Sequence, residues 1–227
     1  MHQLYVAIGN EEAGPIAEIR GLAQAAGVPV RSVDRTRITA LAHTDAPQGV
    51  VAIADPLEET TLSRMVKAGA DGRRPFLVVL DGVTDPHNLG AVMRSALCAG
   101  ATGMVIGKHR SAHITAAAAK AAAGAIEHLP VALVSGIPAA LSELKHAGVW
   151  TVGLDSAGDR PLWHLEVATE AVALVLGAEG RGLARLTQQR CELVVSVPLI
   201  GPLDSLNVAA AAALACFEVA RRRTSPS

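Results

Sequence analysis

Short, continuous apolar runs separated by stretches of helical spacing constrain this chain more than any other feature. The runs are Phe76–Leu80, Met104–Ile106, Val131–Val134, Val149–Leu154, Ala171–Leu176 and Leu193–Val197. Each is too short for a helix and too uniformly apolar for a strand with one wet face. Between them, helical spacing covers Leu89–Ala99, Thr115–Glu127, Pro138–His146, Leu183–Gln189 and Ser205–Arg222. Strands buried on both faces and alternating with helices specify an α/β fold with a mostly parallel sheet.

A smaller α/β unit precedes this block. Leu4–Ile8, Val28–Val33 and Gly49–Ala54 read as strands, and Ala13–Ala26 and Asp34–Ala42 as helices. Gly27 supplies the left-handed stop after the first helix. The unit opens directly on a strand, which suggests that an element upstream is missing. The expected division is residues 1–58 for the small unit, 59–74 for a charged linker and 75–227 for the large domain. Aromatic residues make up only 2% of the chain, so Val, Leu, Ile and Ala must build the core.

In open α/β sheets, ligands bind beyond the carboxyl ends of the strands. Three motifs begin there. After Phe76–Leu80 comes Asp81-Gly82, then Asp85-Pro86-His87-Asn88, with Arg94 in the helix that follows. Asn88 suits a helix cap or a ligand contact. Arg94 reads as a surface residue or as a planar fork that grips a phosphate or carboxylate. After Ala171–Leu176 comes Gly177-Ala178-Glu179-Gly180-Arg181-Gly182, whose glycines permit close approach of backbone to a ligand. It lacks the Gly-Lys-Ser/Thr ending of a phosphate loop and the context of a dinucleotide fingerprint, which argues against a dehydrogenase. After Leu193–Val197, Pro198 leads to Asp204-Ser205-Leu206-Asn207. Ser205 reads as the N-cap of the last helix, and Asn207 as a side chain with another task. His87 reads as a turn residue.

The net charge of −1 excludes a generic polyanion binder, so contacts to nucleic acid must be local. Candidate patches are Arg73-Arg74, Lys108-His109-Arg110, Arg181 with Arg185 and Arg190, and Arg221-Arg222-Arg223. The few aromatics argue against stacking modules. Cys98, Cys191 and Cys216 have no metal-ligand spacing and read as buried small hydrophobes in a reduced compartment. No signal peptide is evident, and the longest apolar stretch, Val208–Phe217, is too short to span a bilayer. A soluble cytoplasmic protein without metal or membrane partner is expected.

On the three motifs in this order, the segment from Pro75 to Arg222 resembles the SpoU (TrmH-like) branch of the SPOUT methyltransferases. Within that branch it is most similar to RlmB-type enzymes, which modify a guanosine of 23S ribosomal RNA; the sequences GAEGRG, VPLIG and SLNVA carry this likeness. The resemblance implies transfer of a methyl group from S-adenosylmethionine to a ribose 2′-hydroxyl of RNA. It further implies a C-terminal trefoil knot, which patterning alone would not give, and a homodimer. The functional positions it implies are Asn88, Arg94, Glu179, Ser205 and Asn207, with Glu179 orienting Arg94 or Asn88, within one subunit or across the dimer. Leu176, Gly177, Gly180, Val197, Pro198 and Leu206 would hold the cofactor, with no metal. The first block is similar to that subfamily's RNA-binding domain through Ala25–Val30 and Gln48–Ala52, but it appears without the usual opening helix and so looks shortened. Pro47 stands where a His is usual, and Ala123 and Gly136 replace a Ser and an Asn. Other targets consistent with the motifs are a transfer-RNA guanosine or the 23S site of antibiotic-resistance methylases; an RNA-binding protein without catalysis is the alternative of another class.

Overall fold

The structure, a computed structural model, describes residues 1–10, 14–44, 47–67, 72–109 and 111–224. Ala13 and Arg110, which fall in the expected first helix and in one basic patch, lie outside the described residues. The chain divides into two compact units, Met1–Leu57 and Glu58–Ser227.

The first unit is a three-stranded sheet with two helices. Strand β1 (Gln3–Ala7) lies between β2 (Val30–Val33), which is parallel to it, and β3 (Val50–Ile53), which is antiparallel. Helix α1 (Gly14–Ala25) ends before Gly27, whose φ of 68° reverses the chain. Helix α2 (Arg35–Ala42) is capped by Asp34, whose carboxylate accepts the Arg37 amide at 2.7 Å. Leu4, Val6 and Ala23 form its small core.

The second unit opens with α3 (Leu62–Lys67) inside the stretch read as linker. That stretch is rich in charged and polar residues, but Leu62 and Met65, three residues apart, share one helical face and are buried in the core. The strands are β4 (Phe76–Asp81), β5 (Gly103–Gly107), β6 (Val131–Val134), β7 (Trp150–Leu154), β8 (Arg160–Pro161), β9 (Val172–Gly177) and β10 (Leu193–Ser196). They form one sheet in the order β6-β5-β4-β9-β7-β10-β8, parallel at every pairing.

Phe76, Val78 and Leu80 of β4 face one layer, and Leu77 and Val79 the other, all buried. The first layer holds α4 (Pro86–Cys98), α5 (Ala116–Ala122) and α8 (Val208–Thr224); the second holds α3 and α6 (Ile137–His146). Helix α7 (Arg185–Arg190) links β9 to β10.

Several expected helices differ in extent. The Thr115–Glu127 helix is interrupted: Ala123 and Gly124 both take positive φ, and a separate 3₁₀ turn covers Ala125–Glu127. The Ala-rich helix does pack closely, because a Cβ on Gly90 of α4 would fall 2.4 Å from the Ala118 carbonyl. The last helix begins at Val208 rather than Ser205.

The terminal arginines are structural rather than free surface. Arg221 and Arg222 bind the buried Glu218, at 2.8 Å and 3.1 Å. Arg223 donates to the carbonyls of Arg74, Pro75, Ala168 and Glu170 and lies over the Phe76 ring. Arg74 pairs with Glu170. Cys216 is buried as expected, but Cys191 is half-buried and Cys98 is exposed on the outer side of α4.

Candidate active site

Strands β4, β9 and β7 are adjacent, so the loops leaving their carboxyl ends meet. The loop after β9 is a tight hairpin in which Ala178 and Gly182 exchange backbone hydrogen bonds at 3.0 and 3.1 Å, with Glu179 near its tip. Glycine is required at both ends of the hairpin. A Cβ on Gly177 would lie 2.1 Å from the Gly182 carbonyl, and one on Gly182 would lie 2.6 Å from Asp155 Oδ2.

Two carboxylates fix the exit of this hairpin. Asp81, at the end of β4, accepts the Ala184 amide at 2.9 Å, and Asp155, just after β7, accepts the Leu183 amide at 3.2 Å. Consecutive amides are thus held from the two strands that flank β9. Neither carboxylate was singled out from sequence, although both stand at the ends of expected strands, where an acidic residue is itself a signal.

Asn88, Glu179 and Asn207 converge. Glu179 Oε1 accepts the side-chain amides of Asn88 at 2.8 Å and Asn207 at 2.7 Å, and Asn207 also donates to Asn88 Oδ1 at 3.1 Å. Local chemistry aims Asn207. Its Oδ1 accepts the backbone amides of Ala209 at 2.9 Å and Ala210 at 3.3 Å, capping α8. With the oxygen committed to the helix, the NH₂ group must face Glu179.

This corrects two expected caps. Asn207 takes the role expected of Ser205, which is exposed and donates to Asp204 instead. Asp85 takes the role considered for Asn88, accepting the His87 amide at 2.9 Å, with Pro86 at the helix start. Pro86 starts α4 a turn earlier than expected, so His87 is an exposed residue of its first turn and Asn88 is free for the cluster.

Arg94 is not drawn into the cluster. It lies six residues beyond Asn88, about 9 Å along the helix, and is exposed. Among the described residues its guanidinium makes no hydrogen bond or ion pair. Within the chain, Glu179 thus holds the two asparagines.

The hairpin separates two recesses. One, of about 250 Å³, is walled by Leu154, Leu176, Val197 and Leu206 on its apolar side and by Gly177 and Gly180 on its backbone side. Pro198 is not on this wall, though its neighbours Val197 and Leu199 are. The other, of about 400 Å³, lies between the hairpin and the start of α4, with Asn88 on its wall. Ala178, Glu179 and Arg181 border both. Among the described residues no group of three or more His, Cys, Asp or Glu is placed to hold a metal ion, and no helix is long and apolar enough to cross a membrane.

Residues 75–217 match the SpoU rRNA methylase family, and residues 1–60 match the RNA 2′-O ribose methyltransferase substrate-binding family. The chain belongs to the SpoU family. Curated relatives agree. It is 42% identical over 202 residues to the 23S rRNA (guanosine-2′-O-)-methyltransferase RlmB of Ralstonia nicotianae, covering 89% of this chain and 80% of that protein. It is 36% identical over 223 residues to RlmB of Photorhabdus laumondii, covering 98% and 91%. Among solved structures, the SpoU methyltransferase AviRb from Streptomyces viridochromogenes, crystallised in complex with the cofactor AdoMet, superposes with a TM-score of 0.82. It shares 26% identity and covers 100% of this chain and 84% of that one. The SpoU family match spans β4 to α8 and so includes both recesses and the Asn88–Glu179–Asn207 cluster.

Proposed function

We propose that this SpoU-family chain transfers a methyl group from S-adenosylmethionine to a ribose 2′-hydroxyl of RNA, and that its target is a guanosine of 23S ribosomal RNA. The observation that carries the reading is the Asn88–Glu179–Asn207 cluster on the hairpin between the two recesses. The likeness to the RlmB proteins supports the target.

The smaller recess fits the cofactor in kind. Apolar side chains suit an adenine, and glycine backbone lets a polar chain lie close. Leu176, Gly177, Gly180, Val197 and Leu206 would hold it, and when bound it supplies the electrophilic methyl group. The larger recess, beside Asn88, would receive the target nucleotide. The ribose hydroxyl is weakly acidic, so its developing charge needs stabilisation as the oxygen reacts. The planar guanidinium of Arg94 is a fork of donors suited to phosphate oxygens. Its role is to bind the target phosphate and stabilise the alkoxide. Ser205 and the Asn88–Glu179–Asn207 cluster position the ribose.

The same reading includes a homodimer, a trefoil knot, RNA binding by residues 1–58 and a cytoplasmic site of action. Leu214 and Phe217, 40% and 51% exposed on the outer face of α8, support the dimer. Insertion of β9 between β4 and β7, with α8 returning onto α4, supports the knot.

The test is transfer of labelled methyl from S-adenosylmethionine to unmodified total RNA, fractionated into ribosomal and transfer RNA, with Arg94→Ala as control. Label in large-subunit RNA that disappears in the variant is expected. Label in transfer RNA overturns the target, and no label in either fraction overturns the activity.

A further inference from the structure

Asp155 stands directly after β7, at the carboxyl end of the sheet and on the wall of the smaller recess. It is half-buried. Its Oδ1 accepts the Ala157 amide at 3.0 Å and its Oδ2 the Leu183 amide at 3.2 Å. An ionised carboxylate offers about four acceptor positions. Among the described residues, nothing else takes the two that remain.

The other carboxylates do not share this combination. Asp81 holds the adjacent amide of the hairpin but is not on the wall of the recess. Glu179 is engaged by two asparagine amides, and Asp204 is exposed and takes the Ser205 hydroxyl. Among the described carboxylates, Asp155 alone is fixed by backbone on one side and open to the recess on the other. The missing Cβ at Gly182 lets the hairpin close on its Oδ2, so the carboxylate is oriented before any ligand arrives.

A carboxylate held in this way matches a pair of vicinal hydroxyls, two donors close enough to share one acceptor group. Acidic residues at strand ends take ribose hydroxyls in dinucleotide-binding folds by the same chemistry. We infer that Asp155 is the acceptor for the ribose hydroxyls of the nucleoside cofactor. This rests on the assignment of S-adenosylmethionine to the recess.

The test is titration calorimetry on the full chain with S-adenosylhomocysteine and its 2′-deoxy form, which differ by one hydroxyl. The unaltered chain is expected to prefer the hydroxylated ligand on the order of 10-fold or more, as for a charge-assisted hydrogen bond. In Asp155→Ala the preference falls to near unity, because only the parent ligand loses a hydroxyl contact, while any loosening of the hairpin lowers both affinities alike. Asp155→Asn, which keeps an oxygen for the Leu183 amide, guards against collapse of the hairpin and is expected to reduce the preference as well. Asp81→Ala loosens the same hairpin from the other side and is expected to shift both affinities together, with the preference intact. A preference unchanged in both Asp155 variants overturns the inference and leaves the cofactor reading standing. Failure of the unaltered chain to bind either ligand overturns both.

Discussion

Asn207 and Asn88, 119 residues apart in the chain, are joined directly at 3.1 Å and again through the same oxygen of Glu179. The connection depends on Asn207 performing two tasks, capping α8 with its oxygen and bridging with its nitrogen. Asn207→Ser separates them. Serine caps a helix as well as asparagine does but cannot reach Glu179. The melting temperature is expected to stay within a few degrees, while methyl transfer falls on the order of 10²-fold, as expected for a misplaced positioning contact. Thermal melts and initial rates on the same preparations check this.

Gly177→Ala places a methyl group 2.1 Å from the Gly182 carbonyl, where only backbone could yield. The hairpin must open. A stability loss of about 1–3 kcal/mol is expected from overpacking, with loss of S-adenosylhomocysteine binding in calorimetry. Gly201→Ala, at a position with open space around the added carbon, should do neither.

Hydrogen bonds from Arg221, then from Arg222, hold the Glu218 carboxylate below its ordinary value of 4.5, against the opposing effect of burial. A depressed folded-state value means that the contribution is complete above the unfolded value and is lost as pH falls through the folded one. Denaturant melts should therefore show a fall in stability beginning near pH 4.5 and continuing below it. Glu218→Gln should flatten that part of the profile and lower the plateau at neutral pH.

Burial pushes the thiols of Cys191 and Cys216 up to about 12, with Asp81 and Glu192 adding to the effect at Cys191. Cys98 is exposed. A thiol reagent at pH 8 should consume Cys98 in the native protein and reach the other two only in denaturant. Cys98→Ser should abolish the fast phase.

The strands of the large unit were legible because burial on both faces leaves an unbroken apolar run, as in Phe76–Leu80. The three motifs were legible because each follows such a run. The cluster geometry was not. From sequence, Ser205 is as good a cap as Asn207, and only the path of the loop after β10 decides between them. The roles of Asp81 and Asp155 depend on β9 being inserted between β4 and β7, an order that no local pattern encodes. The Arg221-Arg222-Arg223 run shows a limit of charge reading. Its partners are Glu218 and several carbonyls, and a backbone carbonyl leaves no mark in a sequence.

Among the described residues, the hydrogen bonds of Arg223 all end on main-chain oxygens, those of residues 74, 75, 168 and 170. Every amino acid supplies such an oxygen, so this clamp places its demand on one side only. Position 223 must keep a planar fork, while the side chains at its four anchor points can drift without loosening it. Mutational tolerance around the C-terminal helix should therefore be lopsided, with one intolerant arginine facing partners that are free to change.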